Sequence, residues 1–152
     1  MTPRRDVSMT QPEIAAFLQV PRTAVLSTLA ADGGPHMAAM WFVVEREAIA
    51  MWTYAKSQKA VNLRRDPRAA VLVEEGTAYD ELKGVLIRGR ASLENERAAT
   101  REVGIKLYER YTLPRTGIPL DVALPEIERQ ADKRTVVRLS LTDVASWDHT
   151  RI

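Results

Sequence analysis

Six runs rich in β-branched and aromatic residues, most joined by only a few turn-forming residues, constrain this chain more than any other feature. They cover residues 23–29, 36–44, Ala48–Tyr54, 69–75, 83–93 and Arg134–Ser140. The first link, Ala31-Asp32-Gly33-Gly34, is a hairpin turn, because Asp-Gly and Gly-Gly both tolerate positive φ. Glu45-Arg46-Glu47 makes the second. Links this short cannot hold the crossover that parallel neighbours need, so the strands pair antiparallel. A six-stranded sheet with small helices outside hides its edges best by curling up. The expected fold is mainly β: a six-stranded antiparallel β-barrel with peripheral helices. Alternation supports it. Val85 and Ile87 oppose Arg88 and Arg90, while Thr135, Val137 and Leu139 oppose Arg134 and Arg138.

The helices are subordinate to that sheet. Thr10-Gln11-Pro12-Glu13 is a capping box, followed by the apolar stripe Ile14, Phe17 and Leu18 and a stop at Pro21. Asn95 is expected to cap a second helix that runs to about Tyr111, with Val103, Leu107 and Tyr108 inward. Residues 76–82 and 113–119 read as loops, the latter for its two prolines and glycine. A shorter helix is expected to start near Pro125, and Ser146-Trp147-Asp148-His149 closes the chain. Residues 1–9 are expected to form a flexible arm and residues 10–152 one domain.

Composition removes several classes of function. There is no cysteine, so disulfides, thiolate catalysis and iron–sulfur clusters are out, and a cytoplasmic place follows by default. No apolar run reaches the ~18 residues of a membrane span, and no apolar segment follows the basic start as a signal would require. The net charge is +2 with acids and bases interleaved, which argues against a nucleic-acid binder. His36 and His149 lack companion ligands, so no metal site is expected. Gly84 and Gly89 are wrongly spaced for a dinucleotide fingerprint or a P-loop, and no nucleophile elbow occurs. Glu74 and Glu75 are adjacent on a strand and face opposite ways. With neither nucleophile nor general base in view, catalysis would fall to a cofactor.

The stretch from Trp52 to Arg68 suggests where a cofactor sits. A strand ends at Tyr54, Ser57 is a good N-cap, and the helix must stop near Asp66 because Pro67 follows. Lys56 and Lys59 stand at the N-terminal end of that helix, where the macrodipole is already positive. Free N–H groups, a hydroxyl and two ammonium groups on one spot suit an anion, phosphate above all; a solvated helix start is the plainer alternative.

These residues carry a family resemblance. Trp52-Thr53-Tyr54, then residues 57–68 as Ser-Gln-Lys-Ala-Val-Asn-Leu-Arg-Arg-Asp-Pro-Arg, then Ala70-Val71-Leu72-Val73, resemble the pyridoxamine 5′-phosphate oxidase-like superfamily. The chain looks most like its flavin/deazaflavin oxidoreductase branch, which uses coenzyme F420. Ala24-Val25-Leu26-Ser27-Thr28-Leu29, Asp32-Gly33, Pro35-His36 and the Ser146–His149 ending agree. The resemblance implies an FMN-binding-like split β-barrel, a homodimer with cofactors at the interface, and hydride transfer to a small organic acceptor. It implies phosphate binding by Ser57, Gln58 and Lys59, with Thr53 adding a hydroxyl. Asn62 and Arg65 would hold further phosphate or the coenzyme's acidic tail. Ala38, Ala39, Met40 and Trp41 would lie along the ring system, and Tyr79 would reach the partner's cofactor. Where the oxidase proper has basic residues at the ends of the second-strand segment, His36 and Trp41 stand here, which favours F420 over FMN. An FMN-dependent oxidase or reductase, and a non-enzymatic cofactor or tetrapyrrole binder, remain as alternatives.

Overall fold

The computed structural model describes residues 6–152. In chain order its strands are β1 (Ala24–Leu29), β2 (Pro35–Met40), β3 (Phe42–Val44), β4 (Ala48–Tyr54), β5 (Arg68–Glu75), β6 (Lys83–Arg90), β7 (Ser92–Glu94), β8 (Arg134–Ser140) and β9 (Asp143–Asp148). They form two antiparallel sheets, ordered β2-β1-β5-β6-β9 and β3-β4-β8-β7.

Among the described residues the expected count of six is corrected to nine, for two reasons. First, two long runs change sheet midway: 36–44 breaks at Trp41 into β2 and β3, and 83–93 breaks at Ala91 into β6 and β7. A strand shared by two packed sheets has to bend where it leaves one for the other. At the second corner the Ala91 N–H leaves the ladder and donates to the Pro67 carbonyl at 2.8 Å. These two corners join the sheets into the barrel. Second, the tail holds a strand. β9 pairs with β6 from Lys83↔Asp148 to Arg88↔Asp143, although Asp143, Ser146 and Asp148 are poor β-formers. The free edge of β6 supplies the partner that the local sequence does not announce.

The barrel interior is apolar. Leu26, Phe42, Ile49, Met51, Val71, Val85, Ile87 and Leu139 are buried there, with Phe17 and Leu18 packed on the same cluster. The four-stranded sheet is covered on its outer face as well, where Val43, Ala50 and Val136 meet Val103 and Leu107. Simple alternation fails for β8 on that account: Val136 is as buried as its neighbours.

Among the described residues five α-helices surround the sheets: α1 (Gln11–Gln19), α2 (Gln58–Arg65), α3 (Arg97–Leu107), α4 (Leu113–Thr116) and α5 (Leu120–Ala131). The capping box of α1 is present: the Thr10 N–H donates to Glu13 Oε2 at 2.7 Å, and the Glu13 N–H to Thr10 Oγ1 at 3.4 Å. Three expectations about the other helices are overturned. Glu96, not Asn95, is the N-cap of α3, and it makes no side-chain bond. Residues 113–119 are not all loop: a widened π turn, Tyr108–Thr112, runs on from α3 into α4, which ends at Gly117 in the left-handed region (φ 66°). Pro114 falls in the first turn of α4, where its missing N–H costs nothing. Finally, α5 begins at Leu120, directly after Pro119, and carries Pro125 inside it.

The expected arm is held at its near end. Asp148 N–H donates to the Val7 carbonyl at 2.7 Å, and Met9 is buried with its N–H on Ser146 Oγ at 3.0 Å. Residues 1–5 lie outside the described part. Among the described residues no helix is long and apolar enough to cross a membrane.

Candidate cofactor groove

β4 and α2 meet at a corner that backbone and side chains hold together. The Ser57 N–H donates to the Tyr54 carbonyl at 2.9 Å, and Ser57 Oγ accepts from the Ala60 N–H at 3.3 Å. Thr53 Oγ1 lies 3.1 Å from Ser57 Oγ, and Arg64 Nη2 donates to the Ala55 carbonyl at 2.6 Å. The cap expected at Ser57 is therefore real, and it stands beside a second hydroxyl at the strand end.

Beside this corner runs a groove of about 670 Å³. Ala39, Met40 and Trp41 form one wall, Thr53 and Lys59 sit at the corner, and Gly104, Leu107, Tyr108 and Ile127 come from the helices above the four-stranded sheet. Its size falls within the range of small-molecule sites. Ser57 opens on an adjoining recess lined also by Lys56, Lys133 and the carboxylate of Asp132, and Tyr54 borders both spaces.

The structure divides the expected site residues. Ala39, Met40, Trp41, Thr53 and Lys59 share the groove, and Ser57 is tied to it through Thr53. Gln58, Asn62 and Arg65 turn to the other side of α2. Gln58 Nε2 donates to Asn62 Oδ1 at 2.8 Å, and Asn62 Nδ2 donates to Thr28 Oγ1 at 3.1 Å. Arg65 Nη2 donates to the Leu29 carbonyl at 2.5 Å. Asn62 is fully buried, and its side chain ties α2 to β1. Ala38 packs on the barrel core, one residue out of phase with Ala39. Tyr79 lies away from this groove, 69 % exposed, with its ring against His149 at 4.7 Å.

Among the groove residues not expected at the site are Arg134 and Trp52. Arg134 lies over the Tyr54 ring, 3.7 Å from its centroid, and 4.9 Å from that of Trp52. Trp52 fits under α3 because position 104 is glycine; a Cβ there would stand 2.9 Å from Trp52 Cζ2. The hint available beforehand was the aromatic pair on β4, residues 52 and 54, which share a face. That Arg134 stands opposite Tyr54 depends on the β4–β8 register. Trp41 stacks on Tyr111 with centroids 4.8 Å apart and planes 1° apart. Tyr111 is fixed in turn: its hydroxyl donates to the Arg22 carbonyl at 2.7 Å.

Charge in the groove is one-sided. No Asp or Glu lines it, and neither Lys59 nor Arg134 has an ion-pair partner among the described residues. Burial, and then the nearby Arg134, lower the pKa of Lys59 below the usual lysine value. Trp52 Nε1 and Arg134 Nε are buried without a hydrogen-bond partner. An orphaned buried donor costs about 1–3 kcal/mol, and an acceptor brought by a ligand would remove that cost.

Fold and groove together define a small split-barrel protein with a cationic, aromatic-walled groove at a strand-to-helix corner. Comparison with known proteins narrows the class. The family model for pyridoxamine 5′-phosphate oxidase matches residues 10–148, and the chain belongs to that family. It is 32 % identical over 116 residues to an F420H(2)-dependent biliverdin reductase of Mycobacterium tuberculosis, covering 75 % of this chain and 81 % of the relative. Among solved structures it resembles the conserved hypothetical protein Rv2991 of Mycobacterium tuberculosis, with a TM-score of 0.87 and 42 % identity over 99 % of this chain and 92 % of the other. It also resembles an F420 reductase, with a TM-score of 0.64 and 25 % identity over 85 % of this chain and 93 % of that one.

Proposed function

We propose that this protein is an F420-dependent oxidoreductase that moves a hydride between the reduced deazaflavin and a small organic acceptor. The observation that carries the reading is Lys59, a cation with no ion-pair partner among the described residues, in an acid-free groove beside the Thr53 and Ser57 hydroxyls. A phosphate at that corner would receive a charge-assisted bond from Lys59 and neutral bonds from the two hydroxyls. The likeness to an F420H(2)-dependent reductase and to an F420 reductase supports F420; FMN, which suits the same phosphate corner, is the alternative.

The protein's share of the work is binding, orientation and exclusion of water. Trp41 lies between the β1–β2 and β3–β4 ladders and pairs in neither, so its main-chain groups are free to bond the edge of a flat ring. Ala39 presents no more than a methyl, which permits close approach. The bound coenzyme would supply the hydride, and no side chain of the groove needs to act as acid or base.

The same reading includes a homodimer. On the outer face of the five-stranded sheet, the register aligns Ala39, Val25, Leu72, Leu86 and Ala145 in one apolar row across all five strands. A second copy is the occupant that fits, because Ala39 belongs to both the row and the groove wall, so a partner there would border the cofactor. Tyr79, exposed in the link between β5 and β6, is the residue proposed to reach across.

Titration of the apoprotein with F420 and with FMN, followed by fluorescence quenching, tests the assignment. F420 is expected to bind at least tenfold more tightly than FMN. Lys59→Ala is expected to weaken F420 by about tenfold, the ~1.4 kcal/mol of one charge-assisted contact, and to leave the melting temperature in place. Equal affinity in parent and variant would remove Lys59 from the site.

A further inference from the structure

The groove holds more recognition chemistry than a phosphate corner requires. Four of the chain's nine aromatic residues line it: Trp41, Trp52, Tyr54 and Tyr108. They supply flat, rigid, apolar contact surface, and the Trp41–Tyr111 stack fixes one of them in place. Arg134 lies over the Tyr54 ring, its Cζ 3.7 Å from the centroid. Its Nε has no partner, and Nη2 makes only a long 3.5 Å contact with Gln130 Oε1. The indole Nε1 of Trp52, whose ring Arg134 also overlies, is the second orphaned donor.

We propose that Arg134 and Trp52 form the substrate's specificity subsite: the edge of Arg134 and the indole N–H of Trp52 bind the carboxylate of a flat, conjugated organic acid. This rests on the site reading above and names the acceptor's class within it. A planar carboxylate matches the guanidinium fork with two parallel bonds, and its remaining lone pairs satisfy the indole donor. The aromatic walls take the conjugated body. Lys59, on α2, keeps the coenzyme phosphate; Arg134, at the start of β8, takes the acceptor.

The probes are 2-naphthoate and its neutral counterpart naphthalene-2-carboxamide, titrated into the apoprotein and read by tryptophan quenching. The parent is expected to bind the naphthoate at least tenfold more tightly than the amide. Arg134→Gln should abolish that preference while the amide still binds, which also shows that the groove is intact. Arg134→Lys keeps the charge without the fork and should restore only part of the preference. Trp52→Phe keeps the ring without the donor and should reduce it severalfold. F420 affinity should fall less in Arg134→Gln than in Lys59→Ala. Equal binding of the two probes by the parent, or a preference that survives Arg134→Gln, overturns the proposal. So does joint loss of amide binding, which makes Arg134 a packing residue, or an equal loss of F420, which assigns it to the coenzyme. Because the probes need no coenzyme, failure of the F420 titration is read separately.

Discussion

At the scale of single residues, two side chains on α2 one turn apart have opposite roles. Lys59 stands in the groove, half-buried beside another cation, so it contributes little to stability and is available to an anion. Asn62 accepts from Gln58 and Arg65 and donates to Thr28, which ties α2 to β1. Asn62→Ala would leave the buried Thr28 hydroxyl without this donor, and is expected to destabilise the fold by about 1–3 kcal/mol in urea denaturation. Its F420 affinity should match the parent's. A stable Asn62→Ala protein with impaired binding would return Asn62 to the site.

At the scale of elements, the groove exists because α3 lies close on β4. Gly104 is the contact that sets this distance: a Cβ would meet Trp52 Cζ2 at 2.9 Å and Ile127 Cγ2 at 3.1 Å. In an exposed helix Gly→Ala stabilises by about 1 kcal/mol, but here overpacking opposes that gain. Gly104→Ala is expected to lower stability by about 1 kcal/mol net and to shift tryptophan emission, because the indole of Trp52 must move. An unchanged spectrum with raised stability would show that α3 gives way instead. The widened π turn that continues α3 brings Tyr108 and Thr112 to the groove wall, a place where such irregular helix is often found at functional sites.

At the scale of the whole molecule, the two ends of the chain are joined through Asp148. This buried carboxylate lies 3.1 Å from Lys83 Nζ and 3.5 Å from Arg151 Nε, and Arg151 also pairs with Glu13 at 2.5 Å. The Thr150 hydroxyl first, and Lys83 after it, hold its pKa below the ordinary aspartate value against the effect of burial. A depressed carboxylate stabilises the fold above its unfolded pKa of about 3.9, and that contribution is lost as pH falls through the folded value. Urea midpoints measured from pH 7 to pH 3 should therefore drop below about pH 4, and Asp148→Asn should flatten that drop while lowering stability at pH 7 by about 1–3 kcal/mol. A drop just as steep in the variant would place the acid sensitivity elsewhere. Assembly belongs to this scale too. Leu86→Arg, in the centre of the apolar row, is expected to yield monomers in sedimentation; a dimer that persists would put the interface on another face.

Much of this was legible along the chain, because it is governed by neighbours in sequence. The β-runs, the hairpin turn at Asp32-Gly33, the capping box at Thr10 and the Ser57 cap are local chemistry, and each lies where local rules put it. The cationic corner at Lys59 was legible for the same reason. What could not be read depends on which strand lies beside which. β9 is a strand because β6 offers an edge, and the bends at Trp41 and Ala91 exist because two sheets have to meet. Asn62 is a core residue because β1 brings Thr28 against it. Arg134 belongs to the groove because the β4–β8 register sets it opposite Tyr54. Sequence periodicity determines which face of an element is apolar; only tertiary packing determines what that face meets, and the groove is made of such meetings.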